Sequence, residues 1–253
     1  MNDVNRIKLA IFCDDVFGLN ILDYIESKKI MIDIIVYNSN NIKIRDIILK
    51  KYKDIKIIES NKLYYKANIK IFNNFNIDII LLAWWPYIIK EPILSLPHKY
   101  IINMHPSYLP HGRGKHPFFW NIVEKTKFGV SLHIVNKNID EGSIIARDVI
   151  DVGWEDNGFT LREKSRKKLF NLFKKNFFNI IKGKINFIKT SHKSRLHLSN
   201  EIEKKSKIFL EKKYKAKDLI NLIRARSGFE TGGAWFKDKN NKYEIKTIIR
   251  KKK

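Results

Sequence analysis

Four short runs set the architecture before any motif is considered. IKLAIFC at 7–13, MIDIIVY at 31–37, DIKIIE at 54–59 and IDIILLA at 77–83 are rich in β-branched residues and nearly continuous in apolar ones. A strand with one wet face alternates polar and apolar residues, whereas a strand covered on both faces reads as an unbroken apolar run. Between the runs lie VFGLNILDYIESKK, NIKIRDIILKK and KLYYKANIKIFNNF, each with helical spacing of its apolar residues. Strand–helix alternation of this kind predicts parallel strands joined by crossover helices, a doubly wound α/β sheet. KYIINMH supplies a fifth strand, FGVSLHIV a sixth and SIIARDVIDV a seventh. Only NKNIDEG separates the last two, so they are expected to be antiparallel.

The remainder is built differently. From Thr160 to about Ile188 a Lys- and Phe-rich segment reads as one helix closing the large domain. SHKSRLHLSNEIEKKSK is polar without a clear period, which places a boundary there: residues 1–195 form one domain and 196–253 a small second one. In the second, AKDLINLIRAR is expected to be a helix with Leu219, Leu222 and Ile223 on one face. GGAWFKDKNNKYEIKTIIR has the pattern of a β-hairpin turning at Asp238 to Asn241. A chain of 253 residues can bury a core of the size this requires.

Three compositional facts limit function. The single cysteine, Cys13, excludes an intrachain disulfide and any multi-thiolate zinc site, and it suits a cytoplasmic protein. No apolar run approaches eighteen residues, and no charged segment leads into one, so neither a membrane span nor a signal peptide is expected. The net charge of +24 would attract polyanions, but its lysines are spread along the whole chain. That distribution reads as a solvated surface rather than a nucleic-acid footprint.

The end of the fifth strand is unusually polar. Residues 103–114 read NMHPSYLPHGRG, and open α/β sheets bind ligands beyond the carboxyl ends of their strands. The first strand-to-helix turn, CDDVFGLN, lacks the glycine pattern of a dinucleotide site, and neither a P-loop nor a G-x-S-x-G elbow occurs. His105, His111 and His116 have no zinc-ligand spacing, so no metal is expected. Asn103, His105 and Asp140 could act together in acyl transfer, as an oxyanion donor, a proton acceptor and a carboxylate that orients the imidazole. Taken singly, each could be turn or cap chemistry, and His133 on the sixth strand reads as a packed histidine by default, with ligand contact as the alternative.

N-x-H-P-S at 103–107, L-P at 109–110, R-G at 113–114, G-V-S-L-H at 129–133 and D-E-G at 140–142 resemble, in order and spacing, the formyltransferases that use N10-formyltetrahydrofolate. The resemblance is recognisable over roughly residues 80 to 150 and weaker over 216–237. It implies a Rossmann-like, mostly parallel formyltransferase fold, with Asn103, His105 and Asp140 catalytic and the folate as co-substrate. It also implies a pterin slot between AWWPYII, where Trp84, Trp85, Pro86, Tyr87 and Ile88 fall, and the loop of Asp140. Trp84 and Trp85 depart from the smaller residues common in relatives.

Among the branches, the glycinamide ribonucleotide enzymes carry a phosphate loop after the first strand that DDVFGLN does not provide. The methionyl-tRNA branch would account for the charge but has a larger C-terminal barrel, and deformylating hydrolases carry an added N-terminal domain. RGKHPFFWNIVE and LINLIRARSGFETGGAWF are most similar to the branch that formylates nucleotide-linked amino sugars. That resemblance implies Arg113, Gly114, Lys115, His116, Arg226, Phe229 and Trp235 as substrate-binding residues. The expected acceptor is dTDP-4-amino-4,6-dideoxyglucose, destined for O-antigen or another surface polysaccharide, with a homodimer formed through the C-terminal hairpin. A methionyl-tRNA formyltransferase-like enzyme and a basic nucleic-acid-binding protein on a decayed transferase fold are the alternatives.

Overall fold

A computed structural model describes residues 6–190, 194–229 and 232–252. The first stretch delivers the alternation expected of it: β1 (Leu9–Cys13), α1 (Asp15–Ser27), β2 (Ile34–Tyr37), α2 (Ile42–Lys51), β3 (Lys56–Glu59), α3 (Lys66–Phe75), β4 (Ile79–Ala83) and β5 (Tyr100–His105). β6 (Arg113–Gly114) and α4 (Pro117–Glu124) follow, then β7 (Gly129–Ile134), β8 (Ile144–Val149) and α5 (Gly158–Ile181). The chain continues through β9 (Leu196–His197), α6 (Glu201–Lys205) and α7 (Ala216–Arg226) to the hairpin β10 (Ala234–Asp238) and β11 (Asn241–Ile245).

Seven strands form one sheet in the order β3-β2-β1-β4-β5-β7-β8. The four pairings from β3 to β5 are parallel, with Phe12 opposite both Val36 and Leu82, and Leu82 opposite Asn103. Every residue of β1, β2 and β4 is buried, which is why these runs carry no polar alternation. The Ile134 N–H donates to Ser143 O and the Ile150 N–H to Phe128 O, so β7 and β8 run antiparallel, as their short connection requires. The order reverses between β1 and β4, the switch point at which such sheets leave a crevice.

The chain packs as two compact units that do not follow it end to end. The first holds the chain to His105, with Leu132–Ala146 and Phe173–Lys189. Phe12, Phe72, Ile80 and Ile93 belong to the core on one side of its sheet, and the Tyr24 ring meets Phe173 and Phe177 edge-on at 5.9 and 5.8 Å. Gly18 lets α1 lie against β1: a Cβ there would sit 2.6 Å from that of Cys13. Cys13 is fully buried, and that burial, then the charge of Asp14, pushes its thiol pKa far up.

The second unit holds Pro106–Ser131, Arg147–Leu172 and the chain from Thr190 on. Its helix α7 covers the expected residues but buries a different face: Asn221, Leu222, Arg224 and Ala225 are covered, while Leu219 and Ile223 are only partly so. The reason is Arg224, whose guanidinium donates to the carbonyls of Gly153 and Asp156, each at 2.7 Å, and to Asn221 Oδ1 at 2.8 Å. A buried charge with this many acceptors satisfies its hydrogen-bonding demand. The hairpin turns where expected, with Asp238 opposite Asn241. Among the described residues no helix is long and apolar enough to cross a membrane.

Candidate active site

Strand geometry explains the N-x-H spacing. Side chains two apart on β5 share a face, so Asn103 and His105 project together while Met104 turns into the core at 1% exposure. His133, on the same unit's part of β7, meets them: its Nε2 lies 3.1 Å from Asn103 Nδ2, and its ring stands edge-on to that of His105 at 6.0 Å between centroids. Asp140 comes from the loop after β7. One carboxylate oxygen is 3.7 Å from His105 Nε2 and the other 3.4 Å from His133 Nε2. Four side chains from two strands and one loop therefore converge, with only 7, 2 and 11% of the His105, His133 and Asp140 side chains exposed.

The D-E-G sequence makes this loop possible. The Ile134 N–H bonds Ser143 O at 2.9 Å, and a Cβ on Gly142 would run into the Ile134 carbonyl. Only glycine lets the return strand approach so closely. Asp140 adopts φ 53°, a left-handed conformation that aspartate tolerates better than most residues.

Hydrogen bonding assigns the histidine tautomer. His133 Nδ1 is 2.8 Å from the Ile134 carbonyl, which can only accept, so Nδ1 carries the proton. In the neutral ring Nε2 is then an acceptor, and the Asn103 amide nitrogen donates to it. An amide nitrogen has two hydrogens, so the second is a donor for an incoming oxygen. The sequence favours core packing for His133 and offers ligand contact only as the alternative. The signal available was its position two residues after a buried Ser131 on a strand neighbouring N-x-H, which becomes visible only once the sheet order is known.

The loop after β4 leaves the sheet beside Asn103, because Leu82 pairs with that residue. Trp84 takes φ 62° and tilts against Phe17 at 5.4 Å. Trp85 packs edge-on to Phe12 and Tyr87 at 5.2 and 5.4 Å and lies against the core, where its indole nitrogen is buried. Pro86 is half-buried, and Ile88 is 57% exposed. The Tyr87 hydroxyl donates to Asn38 Oδ1 at 2.8 Å. Asn38 and Asn41 in turn donate through Nδ2 to the Asp14 carboxylate at 2.9 and 2.8 Å. This network spans the ends of β1, β2 and β4 at the switch point. Sequence reasoning missed it, although N-S-N-N directly after a buried strand is the trace it leaves.

The residues expected to bind substrate lie in the second unit. Arg113 is buried and donates through Nη1 to Ser194 O at 3.0 Å. Gly114, at φ 86°, packs so closely on His197 that a Cβ would strike its carbonyl. The Lys115 side chain is exposed, while its N–H holds His197 O at 2.9 Å. His116 takes φ 59° ahead of Pro117; crowding of its ring by the protein, then the charges of Arg226 and Lys115, lowers its pKa from the usual 6.5. Arg226 donates to Gly233 O at 3.3 Å and lies 3.6 Å from Glu203. Phe229 meets Phe159 edge-on at 6.0 Å, and the Trp235 indole donates to Glu203 O at 3.0 Å. Lys115 and Arg226 thus put positive charge around His116, while Arg113, Gly114 and Trp235 also hold backbone segments together. Among the described residues no group of three or more His, Cys, Asp or Glu could hold a metal ion.

Comparison with known proteins adds the following. The sequence pattern of the formyl transferase family matches residues 19–175, and that of the N-formyltransferase dimerization C-terminal domain matches 201–251. The methionyl-tRNA formyltransferase of Agathobacter rectalis is 31% identical over 111 residues, 44% of this chain and 36% of that protein. The chain spans well under two thirds of the length of the curated relatives it matches. A 4-N formyltransferase from Francisella tularensis superposes with a TM-score of 0.83 at 20% identity, covering 97% of this chain and 98% of that one. The N-formyltransferase from Helicobacter canadensis, in complex with folinic acid and dTDP-3-aminofucose, superposes at 0.71 with 23% identity, covering 86% and 80%.

Proposed function

Because the chain belongs to the formyl transferase family, we propose that it moves the formyl group of N10-formyltetrahydrofolate to the amine of a nucleotide-linked amino sugar. The single observation that supports this most directly is the convergence of Asn103, His105 and Asp140 beside His133. In this reading the amine nitrogen bonds the formyl carbon and the bond to the folate N10 breaks. Asn103 donates to the formyl oxygen as that atom gains negative charge, a contribution of ~3 kcal/mol at comparable sites. His105 takes the proton that the attacking amine must lose, and that proton passes on to the departing folate nitrogen. Asp140 orients the imidazole and stabilises its charged form.

The loop of Trp84 to Ile88 and that of Asp140 hold the pterin, largely through backbone groups. Tyr87 stiffens the first loop through Asn38, and Trp85 backs it from the core. In the second unit Lys115 and Arg226, with Arg113, meet the diphosphate, and their charges favour the neutral form of His116. Phe229 and Trp235 line the base or fasten the hairpin. The sugar is dTDP-linked with its amine at C4, and the Francisella and Helicobacter proteins support the nucleotide-sugar class by likeness of fold. The product feeds surface-polysaccharide synthesis, and the protein works in the cytoplasm as a homodimer joined through β10 and β11, a reading favoured by the C-terminal family pattern.

One assay tests this. The protein is incubated with N10-formyltetrahydrofolate and a panel of dTDP- and UDP-linked amino sugars, with methionyl-tRNA as a further arm, and products are read by mass. A gain of one formyl group on a dTDP-amino sugar is the expected result. Transfer to the tRNA alone would give the reading to that branch, towards which the curated relatives and the charge lean. Transfer to no amine would end it.

A further inference from the structure

A strongly basic run lies at residues 204–217, KKSKIFLEKKYKAK, with seven lysines against one glutamate. In its middle sit two large apolar residues that the fold leaves outside: Phe209 is 51% exposed and Leu210 53%. Their exposure is built in. The Ile208 side chain is buried, and its N–H donates to Trp235 O at 2.7 Å, which fixes the segment on one side. The Phe209 N–H donates to the Tyr214 hydroxyl at 3.0 Å, and the Lys212 N–H closes a turn on Phe209 O at 3.0 Å with Leu210 at its first corner. Lys207 Nζ lies 4.6 Å from the Phe209 ring centroid, while Lys204, Lys205, Lys212, Lys213, Lys215 and Lys217 are all exposed. An apolar tip is thus held outward in a lysine-rich segment.

We propose that residues 204–217 dock the protein on an anionic lipid bilayer, with Phe209 and Leu210 entering the headgroup–acyl boundary and the lysines lying against the headgroups. Stable peripheral attachment takes two signals, an apolar insertion and a polybasic patch, and this segment carries both. RNA would satisfy the lysines but gains nothing from an exposed leucine at a turn corner. A second copy of the chain is disfavoured by charge: with 50 basic residues against 26 acidic ones, its surface repels seven lysines. Interface cores are also depleted in lysine.

The test is co-sedimentation of the full chain with vesicles of equal parts phosphatidylglycerol and phosphatidylcholine, against vesicles of phosphatidylcholine alone. The chain is expected to pellet with the anionic vesicles only and to be released by high salt. Phe209→Ser with Leu210→Ser should weaken binding about tenfold or more. Changing Lys204, Lys205, Lys212 and Lys213 to Gln should weaken it by about two orders of magnitude or more, at roughly fivefold per lysine near an anionic surface. Both sets of positions are exposed, and an unchanged unfolding temperature checks that the fold survives. Three results would overturn the proposal: wild type left in the supernatant, equal binding to neutral vesicles, or a serine double variant that pellets like wild type. A serine variant that dissociates in solution while wild-type vesicle binding is absent would hand the tip to a second copy. Wild type that is retarded by tRNA above about 0.15 M salt, with retardation lost in the lysine variant, but is not held by vesicles would hand it to RNA.

Discussion

His133 governs how the amide beside it is aimed. With its proton committed to the Ile134 carbonyl, its Nε2 is the acceptor that turns the Asn103 nitrogen towards the ring. His133→Ala removes that acceptor and should lower kcat about tenfold, less than the roughly 10²–10³ lost with a whole oxyanion donor, with KM for both substrates nearly unchanged. His133→Gln supplies a carbonyl oxygen in a similar place and should recover most of the rate. A histidine that merely packs would instead give a less stable protein of normal kcat, with no rescue by glutamine. Asn103→Ala and His105→Ala remove the proposed donor and the proposed base themselves. Each should lower kcat at least about a hundredfold while circular dichroism and unfolding temperature stay close to wild type. Normal rates in both would defeat the assigned roles. The double variant should be little worse than the poorer single one, because the two groups serve one step.

Elements decide whether those side chains meet, and the tightest joint is the turn between β7 and β8. Gly142→Ala forces a Cβ into the Ile134 carbonyl, so the strands must part and carry Asp140 away from both imidazoles. The expected result is a loss of roughly 2 kcal/mol or more in unfolding stability together with a large drop in kcat. Gly183 is the control: its φ is also positive, at 68°, but no atom lies within 4 Å of an added Cβ. Gly183→Ala should cost about 1 kcal/mol of backbone strain and leave kcat alone. If both variants lose activity equally, the turn is not what positions Asp140. Much of this level was legible in the sequence, since β1, β2 and β4 are buried on both faces and so read as unbroken apolar runs. The α7 face was not, because the sequence does not disclose that Arg224 is surrounded by carbonyls of residues 153 and 156. β6 and β9 are two residues each and carry no period at all. The long helix stops at Ile181 rather than near 188: Gly183 sits at positive φ, and Ile188 instead bridges Ile144. Of the site, N-x-H and D-E-G could be read as letters, but the partnership of His133 with Asn103 needed the strand order.

At the scale of the whole molecule, the two-stranded sheet and the net charge make separate demands. β11 is exposed along Asn241–Glu244; the outer edge of β10 is bridged by residues 206–208, but that of β11 has no sheet partner among the described residues, a natural place for a second copy to add its own. If the proposed homodimer forms there, wild type should sediment at twice the chain mass and Tyr243→Lys, which puts like charges across such a two-fold contact, at the chain mass. A variant of dimer mass would move the contact elsewhere, and a wild type of chain mass would end the dimer proposal. The charge of +24 tests the choice of acceptor more directly. A surface with 50 basic and 26 acidic residues will hold any polyanion at low ionic strength, so binding of tRNA there says nothing about function. A tRNA enzyme must keep its grip as salt rises, through contacts that do not rely on counterion release alone. A sugar enzyme meets one diphosphate, so its KM should rise by no more than about tenfold between 50 and 200 mM salt, against the 10³–10⁵-fold loss of a protein making many phosphate contacts. The expected pattern is therefore retardation of tRNA that vanishes before about 0.15 M salt, while turnover of the amino sugar persists. Retardation that survives such salt, with amino-sugar turnover lost, would reverse the choice of substrate while leaving the roles of Asn103, His105 and Asp140 intact.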